Sequence, residues 1–145
     1  MIQVEEMDNE QIKELLRQVG YAHLGCSRDN VPYVVPVHYA YDESHLYVYT
    51  TEGKKSETID GNPNVCLQIE EVTDSQHWQS VIVTGEAERL RDENDRKIAL
   101  KSIIQTNPTL TPAVSIRWMD SWVRENIEVI YRIRPTSMTG RASVG

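Results

Sequence analysis

The sequence predicts a mainly β protein with helices, a small six-stranded antiparallel barrel, and three observations carry that expectation. Short alternating apolar runs recur between turn-forming clusters, most of them close enough in sequence to pair as hairpins. No β-α-β alternation indicates a parallel sheet, and no Gly-x-Gly-x-x-Gly occurs. At 145 residues the chain suits a single domain spanning 1–145, long enough for one core at its 39% hydrophobic content.

Taken in order, Asp8 and Gln11 are spaced as a capping box, and Ile12, Leu15, Leu16 and Val19 fall on one helical face before Gly20 stops the helix. Tyr21 to Ser27 reads as a strand, Arg28-Asp29-Asn30 as a tight turn, and Val31 to Tyr41 as a long second strand. That second strand sets Val31, Tyr33, Val35, Val37, Tyr39 and Tyr41 on one face, the period-two mark of a buried surface. Pro32 and Pro36 share the other parity, so their missing N–H groups lie along one edge that cannot carry a continuous ladder. Two readings follow. The sheet opens there as a split in a barrel, where a flat ring could lie beside apolar and aromatic side chains, or this is an ordinary edge strand guarded by proline.

Asp42-Glu43-Ser44 forms the next turn and His45 to Thr51 the third strand. Lys54 to Asp60 is a short helix closed by Gly61-Asn62-Pro63. The stretch Thr50-Thr51-Glu52-Gly53-Lys54-Lys55-Ser56 thus passes from strand through glycine to helix start, an anion-binding geometry. Two lysines in a first turn oppose the positive end of the helix dipole unless something negative sits there. Thr50, Thr51, the backbone N–H groups after Gly53, and Lys54 or Lys55 would hold a terminal phosphate; alternatively the lysines face water in a solvated turn. A single glycine before the lysines is not a Walker loop, which disfavours nucleoside triphosphate chemistry.

Asn64 to Glu71 resumes β-structure with Val65, Leu67 and Ile69 on its buried side, and Trp78 to Leu90 is the longest β-pattern, with Gly85 suggesting a bulge. Asp92-Glu93-Asn94-Asp95 opens a third helix that Asn107-Pro108 stops. Thr109 to Asn126 holds Trp118 and Trp122 and reads either as a lid with a short helix over a pocket or as packing against the barrel. Ile127 to Ile133 is a final strand, followed by Pro135 and a tail.

Several chemistries are disfavoured. With 15 basic and 22 acidic residues the net charge of −7 argues against a nucleic-acid backbone as partner. No apolar run approaches a membrane span and no basic-then-apolar leader opens the chain, so a cytoplasmic protein is expected. Cys26 and Cys66 lack Cys-x-x-Cys spacing and are expected to be buried reduced thiols. His23, His38, His45 and His77 show no metal-ligand pairing, no Gly-x-Ser-x-Gly elbow exists, and any reaction is expected to depend on a bound cofactor.

The phrases Val31-Pro32-Tyr33-Val34-Val35-Pro36-Val37-His38-Tyr39, Gly53-Lys54-Lys55, Asn62-Pro63-Asn64-Val65-Cys66, Trp78-Gln79-Ser80-Val81-Ile82-Val83-Thr84-Gly85-Glu86-Ala87, and Tyr131-Arg132-Ile133 with Met138-Thr139-Gly140-Arg141 together resemble the pyridoxamine 5′-phosphate oxidase-like FMN-binding split-barrel superfamily, in its branch related to nitroimidazole-resistance proteins. The resemblance implies a six-stranded split barrel and a homodimer with FMN at its interface. Val35, Pro36 and Val37 would then line the flavin ring, Thr50, Thr51, Lys54 and Lys55 would hold its phosphate with Lys55 as the principal lysine, and Gln68 would reach in from a neighbouring strand. Trp78 and Ser80 would come from the other subunit, and Trp118 and Arg132 would join them by general position. The implied activity is an oxidoreductase passing electrons from a nicotinamide or other donor to a small planar acceptor. The chain departs from true pyridoxine-phosphate oxidases, because its end, Arg141-Ala142-Ser143-Val144-Gly145, lacks their arginine- and histidine-rich segment, and Thr50-Thr51-Glu52 stands where nitroimidazole-resistance proteins carry a histidine. The alternative is a non-catalytic module for flavin, deazaflavin or haem, with His38 or His23 on the iron.

Overall fold

The computed structural model describes residues 3–106 and 128–144. Helix α1 (Asn9–Val19) starts on the expected capping box: Asp8 accepts from the Gln11 N–H at 2.9 Å, and the Gln11 side chain accepts from the Asp8 N–H at 2.9 Å. Gly20, at φ 72, closes it in the left-handed conformation that glycine adopts without penalty. Replacing Asp8 by Ala should cost about 1 kcal/mol, because the cap satisfies a backbone donor that the first turn leaves orphaned. A urea midpoint equal to that of the parent protein would show that the cap contributes nothing.

Strands β2 (Tyr21–Arg28) and β3 (Val31–Tyr41) meet through Asp29 and Asn30, at φ 52 and 64, a two-residue turn whose twist suits the hairpin. Then come β4 (Leu46–Thr51), α2 (Lys54–Gly61), β5 (Asn64–Asp74), β6 (His77–Arg89), α3 (Glu93–Thr106) and β7 (Glu128–Val144). The antiparallel neighbours run β7-β4-β3-β2-β5-β6, and β6 pairs back onto β7, so six strands close a barrel. A short seventh strand, β1 (Gln3–Glu6), adds to the outer end of β7. Its four side chains are all exposed, so no alternation announced it, and the expected count of six applies to the barrel alone. The last strand also runs past its expected end at Ile133. The ladder absorbs Pro135 by a register jump from Thr84↔Ser137 to Gly85↔Pro135, with Thr136 as the extra residue. Gly85 is needed there, since a Cβ would lie 2.5 Å from the Arg134 carbonyl oxygen.

The barrel interior holds Leu24, Val37, Tyr39, Leu46, Val48, Leu67, Val81 and Tyr131, and α1 plugs one end with Ile12, Leu15 and Leu16. Tyr39 is fully buried and donates its hydroxyl to the Leu16 carbonyl at 2.9 Å; burial pushes its phenol up to about 12. A second cluster, Ala40, Tyr49 and Ile130 against Ala99 and Ile103, seats α3 on the outside of β3, β4 and β7. Among the described residues, no helix is long and apolar enough to cross a membrane.

The feature that positions the site is where β3 loses a neighbour. β3 pairs with β2 over its whole first part, from Val31↔Arg28 to His38↔Tyr21, yet with β4 only from Tyr39 to Tyr41. The Tyr39 N–H donates to the Gly20 carbonyl, toward the β2 side, so residues of the opposite parity, Pro32 and Pro36 among them, turn their backbone nitrogens to the unpaired edge. The sheet therefore opens along the prolines. The opening also corrects the expectation of a buried face along all of β3: Tyr39 is fully buried, whereas Val31, beyond the last cover from β4, is 60% exposed. Cys66 is likewise exposed where a buried thiol was expected, because it shares the outward parity of β5; Cys26, on the inward side of β2, is buried, and both thiols are free.

Candidate functional site

Two lips bound the split. One is the unpaired run of β3; the other is the end of β4 with the first turn of α2, which leaves the sheet where β3 and β4 diverge. On the second lip Thr50 and Thr51 are buried, and the Lys55 ammonium reaches back to donate to Thr50 Oγ1 at 2.9 Å. Burial lowers the Lys55 pKa below its ordinary value, and the Cys26 thiol beside it pulls weakly the other way. Lys54 bridges the lips, its ammonium 4.9 Å from the centre of the Tyr33 ring on β3.

Of the carboxylates near these lysines, Glu52 and Asp60 are committed elsewhere, and Glu57, in the first turn of α2, is exposed. Arg89 binds Glu52 and, at 3.0 Å, Asp60; the Tyr131 hydroxyl donates to Asp60 Oδ1 at 2.9 Å. Ser56 caps α2 from within, accepting from the Gly53 N–H at 2.9 Å, while its own hydroxyl faces Glu52 Oε2 at 3.1 Å and the Gly53 carbonyl at 3.0 Å. Among the described residues, no carboxylate lies within ion-pair distance of Lys54 or Lys55. A half-buried ammonium whose sole partner is a hydroxyl is an electrostatic deficit that a bound anion would fill. A phosphate, offering several acceptor oxygens, matches this set of donors.

On β3, Val35 is half-buried, Pro36 exposed and Val37 buried in the core, so Val37 offers the split only its backbone. Pro36 heads an outward-facing row that crosses four more strands by register: Pro36↔His23, His23↔Gln68, Gln68↔Ile82 and Ile82↔Thr139. Within it His23 Nδ1 meets Gln68 Oε1 at 3.1 Å, and Gln68 Nε2 donates to Ser80 Oγ at 3.1 Å. The Tyr21 ring stands edge-on to His23 and to His38, with centroids 5.6 Å away in each case. The structure thus brings Thr50, Thr51, Lys54 and Lys55 together on one lip and links Pro36, Gln68 and Ser80 on the outer face.

His23, the residue that makes the second link, was read from the sequence as structural or as an alternative iron ligand. The three-residue turn Arg28-Asp29-Asn30 expected from the sequence would set His23 opposite Val35; Arg28 instead pairs with Val31, and the two-residue turn at Asp29-Asn30 sets His23 opposite Pro36. Trp78 is half-buried near Ser80, in a groove that Ile82 and Thr139 of this outward row also line. Within one chain Arg132 lies away from the split: it pairs with Glu88 at 2.7 Å and stands in register with Tyr47 on the outside of β4, β7 and β6. Trp118, with the whole 109–126 segment, lies outside the described residues. Among the described residues, no group of three or more His, Cys, Asp or Glu side chains could hold a metal ion.

Comparison with known proteins agrees with this architecture. A protein of Rhizobium meliloti described only as uncharacterized is 28% identical over 144 residues, covering 97% of this chain and 95% of its own. The crystal structure of a protein from Mesorhizobium loti described as FAD-binding is 28% identical, covers 100% of both chains and superposes with a TM-score of 0.82. The FAD binding protein of Mycobacterium smegmatis shares the fold at 22% identity and a TM-score of 0.66, with 94% of this chain and 98% of its own covered. Residues 8–142 match the family described as pyridoxamine 5′-phosphate oxidase, and with the split barrel already in place the chain belongs to that family.

Proposed function

We propose that the protein binds FMN and works as a cytoplasmic homodimeric oxidoreductase, taking electrons from a nicotinamide or other donor and passing them to a small planar acceptor. The observation that carries this reading is the half-buried Lys55 ammonium against Thr50, with Glu52 and Asp60 held by Arg89, at one end of the split left by the unpaired run of β3. FMN ends in a phosphate monoester, which this lip suits. The Mesorhizobium and Mycobacterium proteins are described as FAD-binding, which supports a flavin. Val35 and Pro36 and the backbone of Val37 would hold the ring, with Gln68 oriented by His23 and Ser80 beside it. Bound flavin supplies hydride and electron transfer; this chain's residues supply binding, orientation and exclusion of water.

The phosphate reading predicts an order of affinity, FMN above FAD above riboflavin, because the diphosphate of FAD places its charge differently and riboflavin has none. Titration followed by flavin fluorescence tests it, and equal affinity for FMN and riboflavin would remove Lys55 from the site. The dimer is supported by the outward apolar surface on β2, β3 and β6: Tyr21, Val34 and Ile82 are 36%, 64% and 48% exposed. Light scattering should give twice the chain mass, and a monomer that retains flavin would refute the shared site.

A further inference from the structure

His23 stands at a narrow point of the outward row. It faces Pro36 as a pair without mutual backbone bonds, because nitrogens of the Pro36 parity turn away from β2, and such pairs set their Cα atoms only about 4.5 Å apart. The imidazole therefore sits beside the pyrrolidine along which the flavin ring is proposed to lie. No countercharge holds it: among the described residues, the histidines within ion-pair distance of a carboxylate are His45 and His77. Tyr21, on the same strand, stands edge-on to His23 and to His38 of β3. The charged groups facing this place from the other strands are Glu70 on β5 and Arg141 on β7, of opposite sign, both in register with Ser80 on β6 and so one row away.

The hydrogen bonds decide which nitrogen of His23 holds the proton. Gln68 Nε2 donates to Ser80 Oγ at 3.1 Å, which turns Gln68 Oε1 toward His23 Nδ1, also 3.1 Å away, and a carbonyl oxygen can only accept. His23 Nδ1 therefore donates in the neutral ring as it does in the charged one, and Nε2 is the atom that gains or loses a proton. A proton added there breaks no bond of the run from His23 through Gln68 to Ser80, so the charge of the place changes while its geometry does not. With the amide reversed, Nδ1 would accept from Gln68, and charging the imidazole would break that bond. A flavin ring that takes up two electrons and one proton is left negative, and a cation beside it favours that state.

We infer that His23 couples a second proton to reduction of the flavin: as the ring takes two electrons and one proton, His23 Nε2 takes one proton from water, and the imidazolium stands against the new negative charge. This rests on the flavin reading and adds to it that pH sets the ring's affinity for electrons through one side chain. Two measurements test it. In the flavin-free protein, NMR of isotope-labelled imidazole nitrogens, with His23 identified by its loss in His23→Gln, should show the neutral ring protonated at Nδ1; protonation at Nε2 instead would overturn the inference. In the FMN-loaded protein, the midpoint potential is followed by visible absorption during dithionite titration, over pH values from about 5 to 8. At the acid end the parent should favour the reduced state over His23→Gln by at least roughly tenfold, ~30 mV for a two-electron couple, and the two curves should meet at the alkaline end. A histidine that only props the fold would displace the curve equally at every pH. Parallel curves therefore overturn the inference and leave FMN binding intact. Loss of the extra slope in His38→Gln but not in His23→Gln would give the proton to the other histidine and overturn it as well. If FMN does not bind at all, the flavin reading falls and takes the coupling with it, while the NMR result still decides how Gln68 is held.

Discussion

Lys55→Met is expected to weaken FMN binding by roughly 10- to 150-fold, the equivalent of ~1.5–3 kcal/mol for a hydrogen bond to a charged group. Methionine keeps the length and apolar stem of the side chain while removing the ammonium, so the barrel should stay folded. Riboflavin affinity should be unchanged by the substitution, which separates loss of a phosphate contact from general damage. The same lysine predicts a pH dependence. Burial lowers its pKa in the folded, ligand-free protein, so the unfolded chain holds that proton more tightly. Between the lowered value and the ordinary lysine value, stability contributed by this group therefore rises with pH, and below the lowered value the penalty is present in full. A bound phosphate would raise the pKa again, so binding takes up a proton in that window and FMN affinity falls as pH rises through it. Subtracting the Lys55→Met profile from the parent profile isolates this component. A flat difference between the two profiles would mean that Lys55 does not face the phosphate.

Much of this geometry was legible in the chain because single residues left little choice. Pro32 and Pro36 could not donate to a ladder, and β3 parts from β4 along them. Asp8 and Gln11 could only cap what followed them, and Gly85 marked the place where the ladder slips by one residue. The electrostatic deficit at Lys55 was half visible. The sequence showed two lysines at the wrong end of a helix, but the attachment of Glu52 and Asp60 to Arg89 depends on contacts 37 and 29 residues away along the chain. Periodicity cannot report such distances. It also could not distinguish the covered half of β3 from the half that stands clear, since alternation is the same in both, and it missed β1, whose residues gain only backbone pairing. Arg132 was assigned by position alone, and within one chain it pairs with Glu88 on β6.

Arg89→Leu should do two things that a surface arginine would not. Its side chain is 18% exposed and ties Glu52, just before α2, to Asp60, near the end of the same helix. Loss of the guanidinium leaves two carboxylates, one just before and one near the end of a short helix, without their shared cation, with only Ser56 and Tyr131 still bonded to them. Breaking a fully buried pair costs about 3–5 kcal/mol, but these carboxylates are about a third exposed, which lowers the expectation to about 2 kcal/mol. Chemical denaturation measures that loss. The second effect concerns the lysines. A released Glu52 lies just before the first turn of α2, and by turning toward Lys54 or Lys55 it would compete with phosphate, lowering FMN affinity by about fivefold for ~1 kcal/mol of attraction. Adding Glu52→Gln to Arg89→Leu should restore the affinity, because the competitor is gone, while leaving much of the stability loss, because Asp60 is still unpaired. If the double variant binds FMN as weakly as Arg89→Leu alone, the lysines are not kept free by the sequestering of Glu52, and the arginine serves only to fasten the helix to the barrel.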